Sequence, residues 1–229
     1  MAIDPTLAFA TLAYATRTNA TIAKPTGVVD GDFLLAGIYV EGDIAVTAPS
    51  GWTLIANVDH VTVAMDLWLY YKRASGEGAS WLWTHSSAPS SGWVWRLTGV
   101  VASGDPENAT RSVNDQGGSA TVTWNSITTA TDGALVIALC SQYDTAGRFS
   151  GSTLTERLDM DDLFVSADVQ ATAGATGNKT ATSSESASYQ SAVLLALKPA
   201  AAGRTTKNLN PWPLGMNIGA HIGMPGSSA

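Results

Sequence analysis

A single cysteine, Cys140, is the chain's whole supply of thiols. No internal disulfide can staple the fold, and its place in the apolar run Ala134-Leu135-Val136-Ile137-Ala138-Leu139 marks it as a buried structural thiol. No stretch of about 18 apolar residues occurs, which excludes a membrane-spanning helix. Nothing after Met1 has the basic-then-apolar order of a secretory signal, so folding in a reducing cytoplasm is expected. Charged residues are only 14% of the chain against 45% apolar, a balance that excludes a disordered polyelectrolyte. Lys and Glu are scarce while Thr, Ser, Ala and Gly abound, which disfavours solvated helices and suits short strands joined by turns. The three histidines, His60, His85 and His221, are far apart, lack metal-ligand spacing and are expected at a surface or interface. Catalytic signatures are also missing: there is no Gly-x-Ser-x-Gly elbow, no phosphate loop and no His-Glu-x-x-His pattern. The expectation is a protein that is not an enzyme and uses no metal and no cofactor.

Charge is unevenly spread. Residues 1–198 hold all 19 acids and 10 of the 12 bases, whereas residues 199–229 hold Arg204 and Lys207 and no acid. An acidic body argues against nucleic acid as a partner, because phosphate binding needs clustered Lys and Arg. A basic tail beside an acidic body favours contact between copies.

The chain echoes itself at an offset near one hundred residues. Asp30-Gly31-Asp32-Phe33-Leu34-Leu35-Ala36 is answered by Asp132-Gly133-Ala134-Leu135-Val136-Ile137-Ala138. Gly51-Trp52-Thr53-Leu54 is answered by Gly151-Ser152-Thr153-Leu154, and Leu67-Trp68-Leu69-Tyr70 by Leu163-Phe164-Val165-Ser166. Trp93-Val94-Trp95-Arg96-Leu97 aligns with Ala192-Val193-Leu194-Leu195-Ala196. The constant order implies two halves of similar layout, about 1–103 and 104–198. Apolar runs and alternation between turn signals predict strands near 6–15, 32–40, 52–58, 61–73, 79–84, 92–98, 119–124, 133–142, 153–158, 162–171, 178–184 and 189–197. The expected fold is all-β, a jelly-roll-like β-sandwich body over residues 1–198. After Leu197-Lys198-Pro199 the Ala/Gly-rich linker leads into an extended C-terminal arm, residues 199–229, which Pro and Gly keep from regular structure.

Two features could carry function. Trp81-Leu82-Trp83 and Trp93-Val94-Trp95 read as a hairpin turning near Ala88, and period-2 geometry would then align Trp81, Trp83, Trp93 and Trp95 in a ladder. Core packing, a subunit interface and a sugar-stacking platform all fit such a ladder. The arm carries Leu209, Trp212, Leu214, Met216, Ile218, Ile222 and Met224 with little polar cover. Apolar burial alone does not offset the entropy of ordering so long a segment, so docking needs backbone hydrogen bonds or a deep groove as well. Asp159, Asp161 and Asp162 are the tightest acidic cluster, but they lack the glycine and distal glutamate of a calcium loop and read as a solvated turn.

The segments Asp30-Gly31-Asp32-Phe33-Leu34-Leu35-Ala36, Pro49-Ser50-Gly51-Trp52-Thr53-Leu54-Ile55 and Leu67-Trp68-Leu69-Tyr70-Tyr71-Lys72-Arg73-Ala74 resemble small β-rich virion proteins of tailed bacteriophages, especially those of actinobacterial hosts. The likeness spans about residues 25–198 and carries over no catalytic residue. It implies a structural protein of the virion, a minor tail protein or a capsid decoration protein. Its partners would be other copies of itself and other virion proteins. The alternative is a carbohydrate-binding module that attaches to a host-surface glycan through the Trp ladder.

Overall fold

The computed structural model describes residues 2–60, 62–117, 119–143, 147–160, 162–185 and 189–201. The structure is all-β, with no helix among the described residues. The first half contributes β1 (Phe9–Ala23), β2 (Phe33–Glu41), β3 (Thr53–Asp59), β4 (Met65–Arg73) and β5 (Ser80–Leu97). The second contributes β6 (Ser112–Gln116), β7 (Thr121–Trp124), β8 (Thr128–Thr129), β9 (Ala134–Gln142), β10 (Phe149–Ser150), β11 (Glu156–Asp159), β12 (Leu163–Gln170), β13 (Gly174–Ala175), β14 (Lys179–Ser183) and β15 (Gln190–Leu197).

Each half builds its own five-stranded antiparallel sheet. The orders are β1-β5-β2-β4-β3 and β6-β15-β9-β12-β11, the same path traced twice. The registers agree as well. Phe33 faces Leu97 in the first sheet as Leu135 faces Leu197 in the second, and Phe33 faces Arg73 as Leu135 faces Val169. Trp93 therefore corresponds to Val193, not to Ala192 as the sequence echo aligned it.

The repeated Asp-Gly pair has one job in both halves. The Gly76 N–H donates to Asp30 Oδ1 and the Gly31 N–H to the Ala74 carbonyl, both at 2.8 Å. Correspondingly, the Ala173 N–H donates to Asp132 Oδ1 at 2.8 Å and the Gly133 N–H to the Gln170 carbonyl at 2.9 Å. Gly31 and Gly133 sit at φ 91° and 73°, a left-handed conformation that glycine adopts without a Cβ penalty.

The two sheets pack face to face. Strand alternation sends Phe33, Leu35, Tyr39, Trp93, Trp95 and Leu97 of one sheet against Leu135, Ile137, Leu139, Val193, Leu195 and Leu197 of the other. The intervening residues also are buried, because each sheet has a second cover on its outer face. Over the first sheet, the distal stretches of β1 and β5 supply Ala20, Ile22, Trp81 and Trp83 to a core with Leu34, Ala36, Ile38 and Val94. Over the second, β7, β10 and β14 form a small sheet that lays Val122, Trp124, Phe149 and Ala181 on Val136, Ala138, Cys140 and Leu194. Burial on both faces explains why β2 and β9 read as unbroken apolar runs rather than alternating ones. It also makes the body thicker than the plain two-sheet sandwich expected.

The expected Trp hairpin is not there. Ser80–Leu97 is one strand, and Ala88 and Pro89 pair with Arg17 and Thr16 inside the β1 ladder. Pro89 is tolerated because the β2 ladder stops at Ser90, so the proline's missing N–H leaves no partner unpaired on that side. β1 likewise runs to Ala23, well past the expected end at residue 15, on a polar stretch whose partner strand, rather than its own apolarity, holds it extended. Three of the four outer strands of the two large sheets, β1, β3 and β11, carry register shifts, which blunt edges that would otherwise pair with another chain.

Gly37 lies opposite Trp93, and a Cβ there would come within 2.6 Å of the indole ring. Gly37→Val should therefore displace Trp93 from the central core. The expected result is a loss of about 1–3 kcal/mol in urea denaturation with a red shift of tryptophan emission; an unchanged midpoint and spectrum would contradict the packing described.

Candidate functional site

The chain enters and leaves the body at the same end. The Asp4 N–H donates to the Thr98 carbonyl, and Val100 bridges Pro199. The Val101 N–H donates to the Lys198 carbonyl, the Lys198 N–H to the Pro106 carbonyl and the Ala200 N–H to the Gly99 carbonyl, at 2.6–2.9 Å. These bonds hold Lys198–Ala200 against the segment that links the two halves. Beside them lies a groove of about 640 Å³, walled by Ala2, Val101, Ala171, Pro199 and Ala200, with Asp132 on its rim. A second depression of about 450 Å³ adjoins it at Lys198 and is rimmed by Asp105, Glu107 and Arg111. The Glu107–Arg111 ion pair measures 2.7 Å. In the wall of the second depression Asn108 is buried, and its side-chain Oδ1 accepts from the Ala130 and Thr131 N–H groups. The arrangement has the chemistry of a docking surface: an apolar floor with polar rims, next to the root of the C-terminal segment. The partner-binding residues expected from the sequence, Leu209, Trp212, Leu214, Met216, Ile218, Ile222 and Met224, lie outside the described residues.

The four tryptophans of the expected ladder are all buried, at 6%, 0%, 1% and 0% exposure for Trp81, Trp83, Trp93 and Trp95. They are also on different faces. Trp81 and Trp83 pack around Trp52 in the outer core, at ring separations of 5.3 and 5.1 Å. Trp93 and Trp95 point into the central core, where Trp95 stacks on Phe9 at 4.7 Å. No ladder forms and no ring face is offered to a sugar, which corrects the platform reading. The cause is the single strand: without a turn at Ala88 the two Trp pairs never oppose each other.

Two further expectations are corrected. His60 and His85 are buried rather than superficial. Nδ1 of His60 accepts from the Thr62 and Val63 N–H groups, so Nε2 carries the proton and donates to the Gln116 carbonyl across the two halves at 3.2 Å. Asp162 is buried as well and accepts the Ser91 hydroxyl, again across the halves, rather than standing in a solvated turn. Asp161 and His221 lie outside the described residues. Cys140 is buried, and burial pushes its thiol pKa up, as a structural thiol requires. Among the described residues, no group of three His, Cys, Asp or Glu side chains could hold a metal ion, and no helix is long and apolar enough to cross a membrane.

At the end far from the groove is a feature the sequence reading missed. Asp59 and Asp66 are directly opposite each other on β3 and β4. With Asp43, Asn57 and Trp68 they line a depression of about 250 Å³. Its Trp68 is braced from behind by Tyr70, nearly parallel at 6.4 Å. Asp66 is buried, and its carboxyl is pushed up to about 6, first by burial and then by Asp59 and Asp43, against hydrogen bonds from the Ile44 N–H and Asn57. Only the register of β3 on β4 brings these acids together; no spacing in the chain announces them.

No family model, curated protein or solved structure matches the chain.

A raised carboxyl pKa favours the protonated fold. Asp66 thus contributes stability that is complete below its unfolded value, 3.8, and is lost as pH rises through about 6. Asp66→Asn, which keeps an acceptor for Ile44, should stabilise the protein at pH 7.5 by about 1–3 kcal/mol. The gain should vanish below pH 4 in thermal melts; a constant gain across that range would show that charge is not its source.

Proposed function

We propose that the chain is a non-enzymatic structural subunit of a bacteriophage particle, a minor tail or capsid decoration protein, folded in the host cytoplasm and working by assembly. The observation that carries this reading is the chain-exit groove, an apolar surface beside the root of a segment with seven apolar side chains and two positive charges. A segment of that composition gains shelter only against another surface, and the acidic body of a neighbouring copy provides one. The resemblance of residues 25–198 to tailed-phage virion proteins supports the particle as the setting, and the thick, doubly covered body suits a bracing role. Deleting residues 202–229 should leave the thermal melt of the body unchanged while abolishing self-association and incorporation into particles. Truncated protein that sediments and incorporates like the full chain would defeat the proposal.

A second reading, attachment to a host-surface glycan, keeps one supporting observation after the loss of the Trp ladder. Trp68 is the one partly exposed ring among the described tryptophans, and Asn57, Asp43 and Asp59 surround it with hydrogen-bonding groups of the kind that orient sugar hydroxyls. On this reading, host glycan should shield Trp68 from acrylamide quenching. Trp68→Ala should remove both the shielding and the retention on a glycan column; quenching that glycan leaves unchanged would rule it out.

A further inference from the structure

We propose that the chain-exit groove of one copy receives the C-terminal segment of the next, so that assembly proceeds by head-to-tail exchange of this segment. The inference rests on the preceding reading that the segment carries association, and adds the receptor.

Three observations identify the occupant. The first is chemical: the groove presents Val101, Ala171, Pro199 and the methyl groups of Ala2 and Ala200, a surface that matches Leu209, Trp212 and Leu214, whose proline neighbours favour an extended backbone fit for a groove. The second is electrostatic. Arg204 and Lys207 precede this apolar stretch, and the groove and its adjoining depression are rimmed by Asp132, Asp105 and Glu107. Lys198 and Arg111 are the cations on the same rims, and Arg111 is engaged with Glu107. The third is reach. The apolar side chains begin 8 residues beyond Ala201 and continue to 23 residues beyond it, roughly 25–75 Å along an extended chain. The groove, in contrast, touches Ala201 itself. A body of this size is on the order of 40 Å across. Filling the groove in its own body would use a few residues next to the root, whereas the apolar stretch is long enough to reach a neighbour's groove. Segment and groove are different surfaces, so copies joined this way close by reciprocal exchange between two, close into a larger ring or extend as a row.

Complementation between two full-length variants tests this. In one, Leu209→Ser, Trp212→Ser and Leu214→Ser disable the segment and leave the groove intact. In the other, Ala171→Arg at an exposed position obstructs the groove with a charge that repels the basic segment; Ala2→Arg repeats the test from the opposite wall. Each variant alone should self-associate at least about tenfold more weakly than the unaltered chain in sedimentation. An equimolar mixture should restore association as one-to-one pairs, with the groove variant donating its segment. If the groove variants self-associate like the unaltered chain, or if the mixture stays monomeric while the unaltered chain assembles, the groove is not the receptor, although the segment can still drive assembly elsewhere. If the unaltered chain is monomeric and the segment substitutions change nothing, the underlying reading fails too. A monomeric chain whose Trp212 becomes accessible to quencher only on Ala171→Arg would show the segment lying in its own groove, which overturns the exchange.

Discussion

The contact between the two five-stranded sheets is the constraint that orders everything else. Along β2, β9, β15 and the Trp93–Leu97 end of β5, alternate apolar side chains enter that seam, so the residues between point outward, and most of them are apolar too. A sheet buried on one face can leave its other face to water; these two cannot. The outer layers follow from this requirement. The first half bends its longest strands back over its own sheet, and the second lays a separate three-stranded sheet over its own. The seam is not a contact of like with like: aromatic rings from the first half, Tyr39, Trp93 and Trp95, meet aliphatic side chains from the second, Leu135, Ile137 and Leu195.

Two copies of one layout have diverged around that seam. Strand order, register and the Asp-Gly lock are common to both halves. The partly buried ion pair between Asp32 and Arg96, 2.7 Å long, belongs only to the first, since the register puts Ala134 and Ala196 in those places. Replacing a buried pair by small apolar groups keeps the strand and removes a desolvation burden. Divergence also makes the two ends of the body unlike each other. At one end the buried His60 and Asp162 tie half to half. At the other, short backbone bonds gather Asp4 and Lys198–Ala200 beside an apolar groove.

That asymmetry gives the two ends different chemistry. The tied end carries opposed carboxylates and the one partly exposed tryptophan among the described residues, Trp68. The chain-exit end holds the apolar groove, with Asp105, Glu107 and Asp132 beside Lys198 and Arg111 on the rims. Register shifts at β1, β3 and β11 blunt three of the four sheet edges between those ends.

The sequence by itself determined the all-β class, most of the strands and the repeat near one hundred residues. These are local properties: alternation, turn residues and recurrent Asp-Gly or Gly-Trp pairs announce themselves within a few positions. Tertiary structure decided what depends on partners across a sheet. Ala88-Pro89 reads as a turn, yet ladder bonds to β1 hold it straight, and that one difference turns a Trp ladder into two buried pairs on opposite faces. Asp59 and Asp66 look unrelated until the register sets them side by side. The walls of the groove come from residues as far apart as Ala2, Val101, Ala171 and Pro199, which only the closing of both sheets on a common seam brings together.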